Sequence, residues 1–188
     1  MFPAVFRALT VGKQVIDVID REPLINSPKE ESKRVKKVMI EDGIHFQDVK
    51  FKYPTAPEHV RPVFEGAHFK IKSGTSTAIV GPSGSGKSTI VQMINRFYDP
   101  DGGSISYGST PLKNIDLVAL RHTIGWVGQE PVLIVGTIRE NLMYGNHEAD
   151  ENQLQDAIKK ANAGFIDQME KGLETYVGSS TVLNLSGG

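Results

Sequence analysis

The sequence predicts an α/β fold laid out as a β-rich stretch, then alternating strand and helix, then mostly helix. Three observations carry that expectation. Apolar and polar residues alternate in "IHFQDVKFKYP" and "AHFKIKSG". A short apolar run, "STAIVG", enters a glycine-rich loop that leaves into an amphipathic helix. From Thr137 onward the apolar spacing turns helical. A chain of 188 residues suits one domain, or one with an appendage, and can bury a sizeable core. The 21 basic and 22 acidic residues nearly cancel, so there is no strong field to recruit nucleic acid or an anionic membrane. There is no cysteine, which removes disulfides, thiolate metal sites and a Cys nucleophile. Apolar runs stay short, Val132 to Val135 for example, so nothing reads as a membrane span or a signal peptide.

The elements follow in order. Phe2, Val5, Phe6, Leu9, Ile16 and Ile19 form a helical stripe, interrupted at Gly12 and ended by Pro23. Residues 23–42 are charged, contain Pro28 and lack period, which predicts a linker; "SKRVKK" within it reads as a solvated tether because Glu30, Glu31 and Glu41 flank it. In the first alternating segment the phase slips between Phe46 and Val49, the mark of a bulge or turn. The second places Ala67, Phe69 and Ile71 on one face and ends in a Ser73-Gly74 turn. "STAIVG" reads as a strand buried on both faces. Ile90, Val91, Ile94 and Phe97 mark a helix that "DPDGG" stops. "SISY" and "TPLKNI" read as short strands, "DLVALRHT" as a helix capped by Asp116, and "IGWVGQEP" as a strand running into a loop. Thr137 with Glu140 makes a capping box, and Asp150 with Gln153 offers a similar pairing. Leu154, Ala157, Ile158 and Ala161 supply the buried stripe of the second of these helices.

The chemistry sits in "GPSGSGKST": Gly81, Pro82, Ser83, Gly84, Ser85, Gly86, Lys87, Ser88 and Thr89. The pattern G-x-x-x-x-G-K-[ST] between a strand and a helix is a phosphate-binding loop. Its glycines let backbone N–H groups turn inward and approach phosphate oxygens without a Cβ in the way. The following helix points its positive end at the same anion. Lys87 is placed to bridge the β- and γ-phosphates, and the Ser88 hydroxyl to ligate Mg²⁺.

Three further stretches choose among the many users of such a loop. "FKYP" places Tyr53 28 residues before Gly81, "VGQEPVL" places Gln129 42 residues after Lys87, and "LSGG" closes the chain. In this order, together with the phosphate loop, they resemble the nucleotide-binding domain of an ATP-binding-cassette (ABC) transporter. "RFYDPDGGSI" and "TIRENLMYG" narrow the resemblance to P-glycoprotein-like multidrug exporters, and it covers nearly the whole chain. The fold it implies is a P-loop NTPase core with a flanking antiparallel β-subdomain and a partial helical subdomain. The division it implies is 1–22 as a helix leading in from a transmembrane domain, 23–42 as a charged linker and 43–188 as the nucleotide-binding domain.

The resemblance also implies roles. Tyr53 would stack on adenine, an interaction worth roughly 1–3 kcal/mol per base, and Val60 would touch the same ring. Gln129 would reach Mg²⁺ and the attacking water. Leu185 to Gly188 would be the first four residues of the LSGGQ signature, so the chain is expected to stop inside a motif. Ser186, Gly187 and Gly188 would contact, in trans, ATP held by a second nucleotide-binding domain in a head-to-tail dimer. Walker B, the catalytic Glu and the switch His would lie beyond the signature. The implied cofactors are ATP and Mg²⁺, and the implied parent is a multi-pass membrane exporter with this domain on the cytosolic face. One departure stands out: Ser179 and Ser180 replace the acidic-basic pair of close relatives just ahead of the signature. Two functions stay open, an ATPase motor domain in the parent and a non-hydrolysing nucleotide-binding or regulatory module in the isolated chain. A GTPase or small-molecule kinase is disfavoured, because Tyr53 offers stacking without guanine-selective hydrogen bonds.

Overall fold

The structure, a computed structural model, describes residues 2–31, 34–129 and 132–178. It divides into two compact units, Met1–Ile124 and Gly125–Gly188. No helix among the described residues is long and apolar enough to cross a membrane.

The first unit opens with helix α1 (Phe2–Ile19), which runs through Gly12 without interruption. Of its predicted stripe, Ile16 and Ile19 are exposed. The described residues of 23–42 hold little regular structure, and two of them are tied to residues 115–117. Val35 forms a parallel bridge to Ile115. Ser27 Oγ donates to Asp116 Oδ2 at 3.0 Å and accepts the Leu117 N–H at 2.9 Å.

A four-stranded antiparallel sheet follows, from β1 (Ile44–Phe51), β2 (Phe64–Ile71), β3 (Gly102–Tyr107) and β4 (Thr110–Pro111), in the order β2-β1-β3-β4. β1 pairs Phe46 with Phe69 on one side and with Ile105 on the other. The slip between Phe46 and Val49 is a bulge in both ladders, with Asp48 at φ 49°. Gly103 closes against it: a Cβ there would stand 2.3 Å from the Gln47 carbonyl oxygen, so no larger residue fits. Helix α2 (Lys87–Ile94) sets Ile90 and Met93 into the core built by Phe46, Val49, Phe51, Phe64, Ile105 and Tyr107. Tyr107 donates its hydroxyl to the Ile94 carbonyl, at the end of α2, at 2.9 Å, and burial raises its pKa well above the ordinary phenol value. Arg96, also buried, is paired with Asp99 through Nε at 2.9 Å and donates to the Lys113 carbonyl, as a buried cation requires. Helix α3 (Leu117–His122) starts on Asp116, whose carboxylate accepts the Val118 and Ala119 N–H groups as predicted.

In the second unit, β5 (Gly136–Thr137) pairs with β6 (Tyr176–Val177), and helices α4 (Ile138–Met143) and α5 (Glu151–Lys160) follow their expected capping boxes on Thr137 and Asp150. Ile138, Leu154, Ile158, Ile166 and Val177 form its core.

Several expectations need correction. Ser76–Val80 is no strand: it carries no ladder, and Val80 is 91% exposed. Residues 124–129 are no strand either, and Val127 is 93% exposed. Both have strand-type residues, but neither joins a ladder among the described residues, and propensity without a ladder does not make a strand. "TPLKNI" holds only the two residues of β4 before a 3₁₀ turn at Leu112–Asn114. On α5, Leu154 and Ile158 are buried but Ala157 and Ala161 face solvent, so the stripe is narrower than predicted. Ser179, Ser180, Ser186, Gly187 and Gly188 lie outside the described residues.

Candidate functional site

The phosphate loop leaves the exposed Ser76–Val80 segment and turns through Ser83 and Gly84 into α2. Gly84 and Gly86 stand at φ 79° and 87°, a left-handed region where a side chain is strained. Gly86 is also sterically required. A Cβ there would lie 2.7 Å from the Phe64 ring and 2.8 Å from Val63. Gly86 caps α2 with no side-chain hydrogen bond. The first helical bond runs from the Ile90 N–H to the Gly86 carbonyl at 3.0 Å, so the N–H groups of Lys87, Ser88 and Thr89 have no acceptor inside the helix. Lys87 Nζ folds back over the loop and donates to the carbonyls of Gly81 at 2.9 Å and Pro82 at 2.7 Å.

Around this loop lies a cleft of about 270 Å³ lined by Tyr53, Val63, Ser83, Gly84, Gly86, Lys87, Ser88 and Thr89. Among the described residues that line it, the charged side chain is that of Lys87. A cation, two hydroxyls from Ser83 and Ser88, and the open N–H groups of a helix start all point to an anionic ligand. A phosphate chain fits that donor set, and the Ser88 hydroxyl is an oxygen ligand suited to a hard cation accompanying it.

Tyr53, two residues beyond β1, stands on the wall of the same cleft. Its hydroxyl lies 2.8 Å from both Thr89 Oγ1 and Gln92 Oε1. Its ring meets Phe51 and Tyr98 edge-on, at centroid distances of 5.0 and 5.1 Å. The loop that follows is tied down by the Lys52 N–H to Asp101 and the Val63 N–H to the Phe51 carbonyl. Tyr53 and the phosphate loop, 28 positions apart in sequence, therefore meet in one cleft. Val60 does not line it: it is 42% exposed, and Val63 is the apolar residue on the wall. Gln129 belongs to the second unit, where it is exposed in a bend. Ser186, Gly187 and Gly188 fall outside the described residues.

Sequence reasoning missed Val63, Tyr98 and Gln92. Only Gln92 had a visible signal, its place three residues after Thr89 on one helix face. A larger, shallower hollow of about 530 Å³ lies in the second unit beside α5. It is lined by Asp156, Lys159 and Asp167 among others, charges of mixed sign that suit no single ligand charge.

Comparison with known proteins agrees with this geometry. The family described as ABC transporter matches residues 64–188. "ABC transporter B family member 1" of Dictyostelium discoideum is 43% identical over 183 residues, 97% of this chain and 19% of that protein. "ABC multidrug transporter mdr2" of Aspergillus fumigatus is 38% identical over 187 residues, 100% of this chain and 23% of that protein. "ABC transporter B family member 13" of Arabidopsis thaliana is 40% identical, covering 99% of this chain and 15% of its own length. The chain thus spans less than a quarter of the length of these relatives. Among solved structures, a bacterial Atm1-family ABC exporter with ATP bound superposes at TM-score 0.82 with 30% identity, over 95% of this chain and 30% of that one.

Proposed function

Because this chain belongs to the ABC transporter family, we propose that residues 43–188 are an ATP-binding domain which, within a longer exporter, couples ATP binding and hydrolysis to export of a substrate across a membrane. The observation that carries this reading is the cleft joining Lys87, Ser88 and the open start of α2 to Tyr53. Lys87 would release the Gly81 and Pro82 carbonyls and hold the β- and γ-phosphates, as the loop backbone of residues 81–89 cradles the rest. Ser88 would ligate Mg²⁺, which when bound neutralises charge on the phosphates, and Gln129 would reach the same ion. Tyr53 would stack on adenine.

In the same reading, residues 1–22 lead in from a transmembrane domain and 23–42 tether it to the cytosolic face. A second nucleotide-binding domain closes head-to-tail, so that Ser186, Gly187 and Gly188 meet its ATP in trans. Mg·ATP titrated into the chain by calorimetry, with Lys87→Ala as the paired control, tests the site. Saturable binding lost in the control is expected; equal heats from both proteins would sink the reading. A second reading is a nucleotide-binding module without turnover. The expectation for this chain alone is phosphate release no faster than from Lys87→Ala, and sustained Mg-dependent release above that control would remove it.

A further inference from the structure

Tyr53 is fixed from three sides, by Phe51, by Tyr98 and through its hydroxyl. A phenol carries one proton. That proton goes to Gln92 Oε1, which can only accept, at 2.8 Å. The 2.8 Å contact with Thr89 must then run the other way, with the Thr89 hydroxyl donating to the Tyr53 oxygen. The result is a directed chain, Thr89 to Tyr53 to Gln92. Thr89 belongs to the phosphate loop and is buried. Gln92 lies three residues on, on the same face of α2, and does not line the cleft, so it does not contact a ligand held there. Nor is it needed to seat the helix, since Ile90 and Met93 already bury α2 in the core.

We infer that Gln92 is a positioning residue for the nucleotide base, acting through Tyr53. The two hydrogen bonds stop the Tyr53 ring from swinging about χ1 and register it against the phosphate loop. Base platform and phosphate cradle are then presented to a nucleoside triphosphate as one preorganised unit. The inference rests on the reading of this cleft as an ATP site. It also predicts where the benefit falls: on ligands that carry a base, and not on the phosphates alone.

The test is calorimetric titration with Mg·ATP and with Mg·tripolyphosphate, which has the phosphate chain and no base. The proteins are the wild type, Tyr53→Phe, Gln92→Leu, Gln92→Glu and the Tyr53→Phe/Gln92→Leu double variant. Tyr53→Phe and Gln92→Leu are each expected to weaken ATP binding about 3- to 10-fold, the range of one net hydrogen bond, and to leave tripolyphosphate within about twofold. The double variant should bind ATP no worse than Tyr53→Phe, because that substitution already removes the link that Gln92→Leu breaks. Gln92→Glu keeps an acceptor for the phenol and should retain the wild-type ratio of the two affinities. Equal loss for both ligands in Gln92→Leu, or losses that multiply in the double variant, overturns the inference. If Gln92→Leu does not fold, Tyr53→Phe decides: an unchanged ratio overturns it. Failure of the underlying reading looks different, for then the wild type binds ATP no better than Lys87→Ala.

Discussion

Helix α2 begins in the opposite way from helices α3, α4 and α5. Asp116, Thr137 and Asp150 each turn a side-chain oxygen onto the first-turn N–H groups of the helix they open, and two of the three complete a capping box. Helix α2 opens on Gly86, which has no side chain to offer, and its first N–H groups face the cleft. A side-chain cap is worth about 1 kcal/mol to a helix, so the start of α2 forgoes a stabilisation that the other three take. What it gains is vacancy, because N–H groups already satisfied by a protein oxygen have nothing left for a phosphate. Helices α3, α4 and α5 thus cap themselves, and α2 leaves its first N–H groups open to the phosphate proposed for the cleft.

The sharpest way to break that contrast is Gly86→Ala. The new methyl would enter the Phe64 ring and Val63 at under 3 Å, on a backbone held at φ 87°. Overpacking and left-handed strain together should destabilise the first unit by about 3 kcal/mol, read as a lower urea midpoint, with ATP binding lost. Gly84→Ala separates the two causes. It sits at φ 79° with nothing within 4 Å of its Cβ, so only strain remains, roughly 1–2 kcal/mol. Equal losses at the two glycines would mean that the close approach at Gly86 is not what selects glycine there.

Thr137→Ala sharpens the other side. It removes the oxygen that accepts the Glu140 N–H at 3.1 Å and leaves the Glu140 contact to the Thr137 N–H in place. The expected cost is about 1 kcal/mol, confined to the second unit, and visible as faster hydrogen exchange in α4. No change in exchange there would mean that the tertiary contacts of Ile138 hold the helix without its cap.

How much of this was legible in the sequence follows from the range of each interaction. The capping boxes and the Asp116 cap were legible because they close within three residues. The bulge at Phe46–Val49 was legible because it breaks the alternation locally. The phosphate loop was legible because its pattern is short and its backbone chemistry demands glycine. Ser76–Val80 and residues 124–129 misled because a strand is a property of a pair, and propensity alone supplies no partner. The Tyr53–Thr89–Gln92 link was hidden for a related reason: it spans 36 and 39 positions, and no periodicity reaches that far. Val63 lines the cleft while Val60 is exposed, a difference that two valines three positions apart in one irregular loop do not announce in sequence.

The smallest expected effect concerns the cap of α3, which recruits help that no local pattern announced. The Asp116 carboxylate is held below its ordinary pKa first by the Ala119 N–H, then by the Ser27 hydroxyl, the Val118 N–H and the charge of Arg34, against an opposing pull from burial. A folded-state value lower than the unfolded one means that the charged form is favoured by folding. The contribution is therefore complete above the unfolded carboxylate value of about 4 and is lost as pH falls through the lowered folded value. Asp116→Asn keeps a capping oxygen but cannot titrate. Its stability relative to wild type should differ by a constant amount at neutral pH, and the gap should close as the pH drops below about 4. Urea midpoints of both proteins across that range check the sign. Parallel curves would mean that the Asp116 charge adds nothing to the cap, and that its three partners would serve a neutral oxygen equally well.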